Sequence, residues 1–159
     1  MSFISQKFKT NLFIKYFGFT KVPLIFYCRP KIVDISNESV TLKIPLLRRN
    51  KNHVGSMYLG AMSIGADLSS AILAFNLTSI SKRKIVPIFK DFKADFYKRA
   101  EGDVHFVCKE GKKINSMIDK VLNENQRVNE LIDVIAYVPS KSKIEPVAKF
   151  SLTLSLKAY

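Results

Sequence analysis

The chain has 159 residues, 47% of them hydrophobic, with 26 Lys or Arg against 13 Asp or Glu and hence a net charge of +13. That length and apolar content suit one domain, residues 1–159, folding about its own core, with no second domain. The charge favours anionic partners, and nucleic acid, anionic lipid and a phosphate-bearing cofactor all qualify. Two cysteines, Cys28 and Cys108, and no secretory leader predict a reducing, cytoplasmic setting without a disulfide framework. Two Cys and two His far apart in sequence lack the spacing that organises a metal site.

Lys7, Lys9 and Lys15 interrupt the apolar positions of the first 20 residues. They exclude a signal-peptide core, and "VPLIFYC" is far short of the ~20 residues a spanning helix needs, so no stable membrane insertion is expected. Ile4, Phe8, Leu12, Phe13, Tyr16 and Phe17 recur at helical spacing. They predict an amphipathic helix ending near Gly18, with a linker to residue 24, that either caps the core or lies on a membrane surface. "KIVDISNESVTLKIPL" reads as a β-hairpin about Asn37 and Glu38, left by the basic loop "LRRNKNHVGS". From Met57 to about Asn76 the sequence is apolar almost all round, with Ser56 at the expected N-cap, and predicts a buried helix.

After "SKRK", residues 84–98 alternate as one long strand. Phe89, Asp91, Lys93 and Asp95 fall on one side, with Ile88, Lys90, Phe92, Ala94 and Phe96 on the other. Glu101-Gly102 is expected to turn this strand into the next, "DVHFVCK". "KKINSMIDKVLNEN" has the helical period of a short surface helix, and the strands "VNELIDVIAYV" and "VAKFSLTLSL" flank the turn-rich "PSKSKIEP". The order is helix, hairpin, buried helix, then an antiparallel meander, which predicts an α+β fold with one sheet curled around one helix.

On the central helix Gly60, Ser63, Asp67 and Ser70 or Ala71 form the one polar stripe. Asp67 lies about three turns in, too far to cap the helix or feel much of its dipole. A buried carboxylate must be paired, hydrogen-bonded or open to a cleft. It is therefore either a structural acid bonded to a neighbouring backbone group or Lys, or a general base or nucleophile lining a pocket. His53, alone in a basic loop, is an alternative base or a surface residue. His105 and Cys108 are three apart on a strand and point to opposite faces, so they make no nucleophile–base pair.

"RNKNHVGSMYLGAMSIGADLSSA" resembles the helix-leading motif of the hotdog-fold thioesterase superfamily, in particular its phenylacetyl-CoA-type branch and relatives of unassigned substrate. That pattern is an Asn, a Gly three residues later, an aromatic or His followed by Gly-Gly, and an Asp seven residues beyond the second Gly. Asn52 and Gly55 match its opening, Tyr58 takes the aromatic or His place, Gly60 is the second Gly, and Asp67 falls on the catalytic acid. The segments "KDFKADFYKRAEGDVHFVCK" and "EPVAKFSLTLSL" also resemble that family's sheet, extending the likeness over residues 25 to 157. Leu59 departs from the pattern by replacing the first Gly, adding a side chain where the family keeps room for the thioester.

The resemblance implies a hotdog fold and an acyl-CoA substrate, with coenzyme A as part of that substrate and no other cofactor. It also implies a homodimer, or a tetramer, with the site at the subunit interface. Backbone amides around Tyr58 to Gly60 would bind the thioester oxygen, Asp67 would activate water or attack the acyl carbon, and Asn52 would hold the water or carbonyl. Lys82, Arg83 and Lys84 after the central helix, and Lys98 with Arg99 after the long strand, either read the phosphates of coenzyme A or form solvated faces. A hotdog module that binds acyl-CoA without cleaving it is the rival that Leu59 favours. A nucleic-acid binder lacks support, since no RNP-like aromatic motif, GxxG loop or helix-turn-helix spacing is present. A dehydratase lacks its His-Asp or His-Glu arrangement.

Overall fold

A computed structural model describes residues 3–159. Two helices, α1 (Phe3–Thr20) and α2 (Pro23–Cys28), precede the hairpin β1 (Lys31–Ile35) and β2 (Val40–Ile44). A short 3-10 turn, Arg48–Asn50, leads to the central helix α3 (Leu59–Thr78), followed by β3 (Ile85–Phe89) and β4 (Lys93–Phe96). The chain ends with β5 (Val104–Cys108), α4 (Gly111–Glu124), β6 (Val128–Tyr137) and β7 (Ala148–Ala158). The strands form one seven-stranded antiparallel sheet in the order β1-β2-β5-β6-β7-β3, with β4 also pairing β7. It curls around α3, the hotdog arrangement expected from the sequence.

Period-two alternation explains why one sheet face is dry. Val40, Leu42 and Ile44 on β2, Val104, Phe106 and Cys108 on β5, and the even residues Phe150 to Leu156 on β7 are buried toward α3. On α3 the buried residues run round most of the circumference, and the hydroxyls of Ser69 and Ser70 donate to the Ala66 carbonyl, which satisfies them inside the core. Gly65 is the point of closest approach: a Cβ there would lie 2.2 Å from Cε2 of Phe106, which is fully buried. On α4, Ile114, Met117, Ile118 and Val121 are buried, so this expected surface helix supplies one full face to the core.

Five expectations need correction. The N-terminal helix does not bury its expected stripe: Phe8, Leu12 and Tyr16 face solvent, and Ile14 with Phe17 packs inward. Ile4 lies outside the residues whose side chains are described. Residues 23–28, expected to be partly linker and partly an unassigned apolar run, form α2 with Pro23 at its first turn, where a missing N–H is harmless. Helix α3 begins at Leu59 with Tyr58 as its N-cap; Ser56 is buried in the preceding loop instead.

The long strand is two. Phe89 pairs Leu154 and Lys93 pairs Ser151, so four steps on one side face three on β7, a β-bulge over residues 90–92. Asp91 fills the gap by accepting from the Thr153 N–H at 2.9 Å and hydroxyl at 2.8 Å, bonds that hold its carboxyl below the usual carboxylate range. The extra residue switches facing, so Phe89 packs on the core with Ala94 and Phe92, not with Asp91. Nor does Glu101-Gly102 make a hairpin: β5 pairs β2 and β6, while β4 lies across the sheet on β7.

Candidate active site

The sheet leaves one edge of α3 uncovered. Leu59, Ser63, Asp67, Ala71 and Phe75, at four-residue intervals, make that edge, so Ala71 rather than the buried Ser70 continues the stripe. Two grooves follow one another along it. The first, of 510 Å³, is lined by Asn52, Leu59 and Met62 facing Phe96, Lys98 and Arg99. The second, of 450 Å³, places Asp67 and Ser63 opposite Phe89, the bulge residue Asp91, and Phe92.

Among the described residues the Asp67 carboxylate has no hydrogen-bond or ion-pair partner, so the structural reading of this acid loses its basis. The side chain reaches solvent, yet the helix flank and the facing aromatic segment remove much of its hydration. That loss holds its carboxyl above the ordinary value of 3.8. A carboxylate left without partners in an apolar groove is available for proton transfer.

The loop before α3 is built by Asn52. Its Oδ1 accepts from the backbone N–H groups of Val54 and Ser56, each at 3.1 Å, its Nδ2 donates to the Ser56 hydroxyl at 3.2 Å, and Gly55 takes φ +84° to close the turn. Asn52 thus shapes the loop while lining the first groove. Asn50, passed over in the sequence, is the deeper anchor: buried, it donates to the carbonyls of Cys28 and Pro45 at 3.0 and 2.9 Å. Its own carbonyl takes the Tyr58 N–H at 2.7 Å. The Asn-Lys-Asn doublet was the only sequence signal for it.

That bond corrects the expected oxyanion site, because the Tyr58 amide is already used. The amides of Leu59, Gly60 and Ala61 have no acceptor among the described residues, and no side chain caps the helix. The Tyr58 ring lies over Gly60, where a Cβ would come 2.7 Å from Tyr58 Cε1. From Gly60 to Asp67 is about 10 Å along the helix axis, at 1.5 Å per residue. One chain therefore does not bring its free amides and its carboxylate to the same atom.

The other sequence candidates scatter. His53 is exposed in the loop. Lys98 is ion-paired with Glu145, whereas Arg99 lines the first groove with no ion-pair partner among the described residues. Lys82, Arg83 and Lys84 lie beyond the far end of α3, where the Arg83 guanidinium donates to Asn125 Oδ1 at 2.8 Å. They are not brought to either groove. A larger groove, 720 Å³, crosses the outer sheet face at His105 and Tyr137. Its acids are spent, Asp133 on Lys149 at 2.9 Å and Glu110 on Lys113 at 3.0 Å. Burial pushes the His105 imidazole below its ordinary value, and Cys108 faces the core with its thiol pushed up to about 12 by burial.

The sequence pattern of the family described as Domain of unknown function (DUF4442) matches residues 10–154. The fold is similar to that of a Pseudomonas aeruginosa protein of unknown function described as a probable thioesterase, at 21% identity and a TM-score of 0.77 over 93% of this chain and 95% of that one. It is similar to a Chlorobaculum tepidum protein of unknown function at 12% identity and a TM-score of 0.77, covering 96% and 97% of the two chains. A mutant of a thioesterase enzyme from Staphylococcus aureus aligns at 15% identity and a TM-score of 0.63, covering 85% and 98%. No curated protein matches the sequence significantly.

Proposed function

The chain belongs to the family of the domain of unknown function DUF4442, and within that family we propose that it is an acyl-CoA thioesterase. The observation that carries this reading is the partnerless, partly desolvated Asp67 in an apolar groove, on a helix whose first amides are uncapped. The chemistry is attack on the thioester carbonyl with expulsion of the coenzyme A thiolate. Asp67 either takes the proton from the attacking water or attacks the acyl carbon itself, while the amides of Leu59 to Ala61 receive the negative charge on the carbonyl oxygen.

Since those amides stand about 10 Å from Asp67 within one chain, a working site needs Asp67 of one copy beside the α3 N-terminus of another. We read the protein as a homodimer. The uncovered edge of α3 with Leu59 and Phe75, and Ile88 on the edge strand β3, offers the apolar surface such a partner would cover. Arg99 is the cation best placed for a phosphate of coenzyme A. A cytoplasmic location accords with two buried, unpaired cysteines.

Leu59, 54% exposed in the first groove, supports a second reading in which the groove holds an acyl-CoA without cleaving it. A thiol-release screen across acyl-CoA chain lengths, aromatic acyl groups included, separates the two. Thiol release with any of them supports the hydrolase, while tight acyl-CoA binding with no release supports the binding module.

A further inference from the structure

The outward stripe of α1 has no covering among the described residues. Phe8, Leu12, Tyr16 and Phe19 run along it, Phe8 and Phe19 being 69% and 70% exposed. Phe19 carries the stripe onto α2 through an edge-on contact with Phe26 at 5.4 Å, and Leu24 and Tyr27 extend it. The platform beneath is fixed. Asn11 Oδ1 accepts the Ile32 N–H at 2.8 Å, Gln6 donates to Asn76 Oδ1 at 3.0 Å, and the Phe13 ring stacks on Phe75 at 5.3 Å. A contiguous apolar patch on a fixed scaffold marks an interaction surface.

Charge identifies what covers it. The first 33 residues hold six cations, Lys7, Lys9, Lys15, Lys21, Arg29 and Lys31, and no Asp or Glu. Between α1, α2 and the start of β1 lies a 600 Å³ pocket with apolar walls from Phe8, Ile14 and Phe26 and a rim of Lys15, Arg29 and Lys31. An apolar hollow under three cations matches an amphiphile with an anionic head. A second copy seated on this face would set six cations against six with no counter-charge, which disfavours a two-fold contact here. Exposed aromatics combined with a polybasic surface form the two-part signal for peripheral attachment to anionic lipid.

We propose that the α1–α2 face docks the protein on an anionic phospholipid bilayer. Phe8, Leu12, Tyr16 and Phe19 enter the interface, and Lys15, Arg29 and Lys31 hold headgroup phosphates at the pocket mouth. The docking is peripheral and does not depend on thioester hydrolysis.

The test uses the full chain and sucrose-loaded vesicles of phosphatidylcholine, with or without about 30 mol% phosphatidylglycerol. Co-sedimentation is expected to favour the anionic vesicles at least about tenfold. A basic residue near such a surface is worth about fivefold in partitioning, so Lys15→Glu with Lys21→Glu lowers binding by about 25-fold or more. Leu12→Gln with Phe19→Gln lowers it about tenfold or more. All four positions are exposed, so melting curves stay close to that of the unaltered protein. The chain has no Trp, which makes Phe19→Trp a single reporter. Its emission shifts to the blue on anionic vesicles, while that of Tyr137→Trp, on the outer sheet face, does not.

Equal binding to neutral vesicles, unchanged binding in either double variant, or a blue shift at position 137 without one at 19 would overturn the proposal. So would loss of an oligomer in the Leu12 and Phe19 variant, which would make a second copy the occupant, or RNA binding in place of vesicle binding.

Discussion

Replacing Asp67 with Asn isolates the chemistry, because among the described residues the side chain makes no hydrogen bond or ion pair that the amide could break. Asn has nearly the same shape but can neither take a proton from water nor serve as an acyl-accepting oxygen. General-base assistance is worth about 10² to 10⁴ in rate, or roughly 3 to 5 kcal/mol of barrier, and kcat for acyl-CoA hydrolysis should fall by that factor while KM changes little. Stability should move the other way. The folded-state pKa of Asp67 is raised above the ordinary 3.8. The folded protein therefore holds this proton more tightly than the unfolded chain, and ionisation opposes folding increasingly as the pH rises past the unfolded value. The penalty is absent below the unfolded pKa and fully present above the folded one. Melting curves of both proteins should coincide at acid pH and separate as pH rises toward neutrality, with the Asn variant the more stable. Thiol release from acyl-CoA, followed with a chromogenic thiol reagent, reads the rate, and its pH profile in the unaltered protein should rise through an inflection above 3.8. Undiminished turnover in a well-folded Asn variant refutes the assignment, and a large loss of stability at neutral pH refutes the claim that Asp67 is partnerless.

Light scattering at micromolar concentration should show a dimer, and a stable monomer would remove the shared site. Arg99→Ala should raise KM for acyl-CoA more than for the matching pantetheine thioester, because only the former carries the nucleotide phosphates; equal losses would mean Arg99 does not read them. Leu59→Gly should increase turnover if the side chain crowds the thioester, and unchanged kinetics would show that it does not. Gly65→Ala gains about 1 kcal/mol of helix propensity but forces a methyl against the immobile Phe106 ring, where overpacking costs 1 to 3 kcal/mol or more. A net loss of up to about 2 kcal/mol lowers Tm by up to about 4 to 8 °C, and Phe106→Leu in the same chain should recover part of it.

The elements that alternate or repeat cleanly were legible in the sequence. Strand β2 of the hairpin at Asn37, the all-round apolar α3, and β5 to β7 each bury the face their period assigns, whereas β1 buries Ile32 and Ile35, three apart, across a register shift. The face of α1 was not legible, since apolar residues line both of its sides and periodicity cannot say which one meets Phe75 and Ile32. Ser56 looked like an N-cap by residue type, but Asn52 captures its N–H and hydroxyl and moves the helix start two residues on. At the site, residue chemistry singled out Asp67 and the motif resemblance pointed to Asn52, whereas the groove wall opposite Asp67 depends on pairing across 62 residues that no local pattern encodes.

The bulge at residues 90–92 has a consequence for how the site can change. Facing is inward at Phe89 and again at Phe92 and Ala94, so deleting one residue between Phe89 and Phe92 yields an uninterrupted strand with every inward side chain still inward. The fold does not require the extra residue. What it supplies is the wall of Phe89, Asp91 and Phe92 standing across from Asp67. Groove and core are thus encoded separately in this strand: a single codon lost at this point would flatten the groove while leaving the core intact, and a codon gained would reshape the groove without reworking the core.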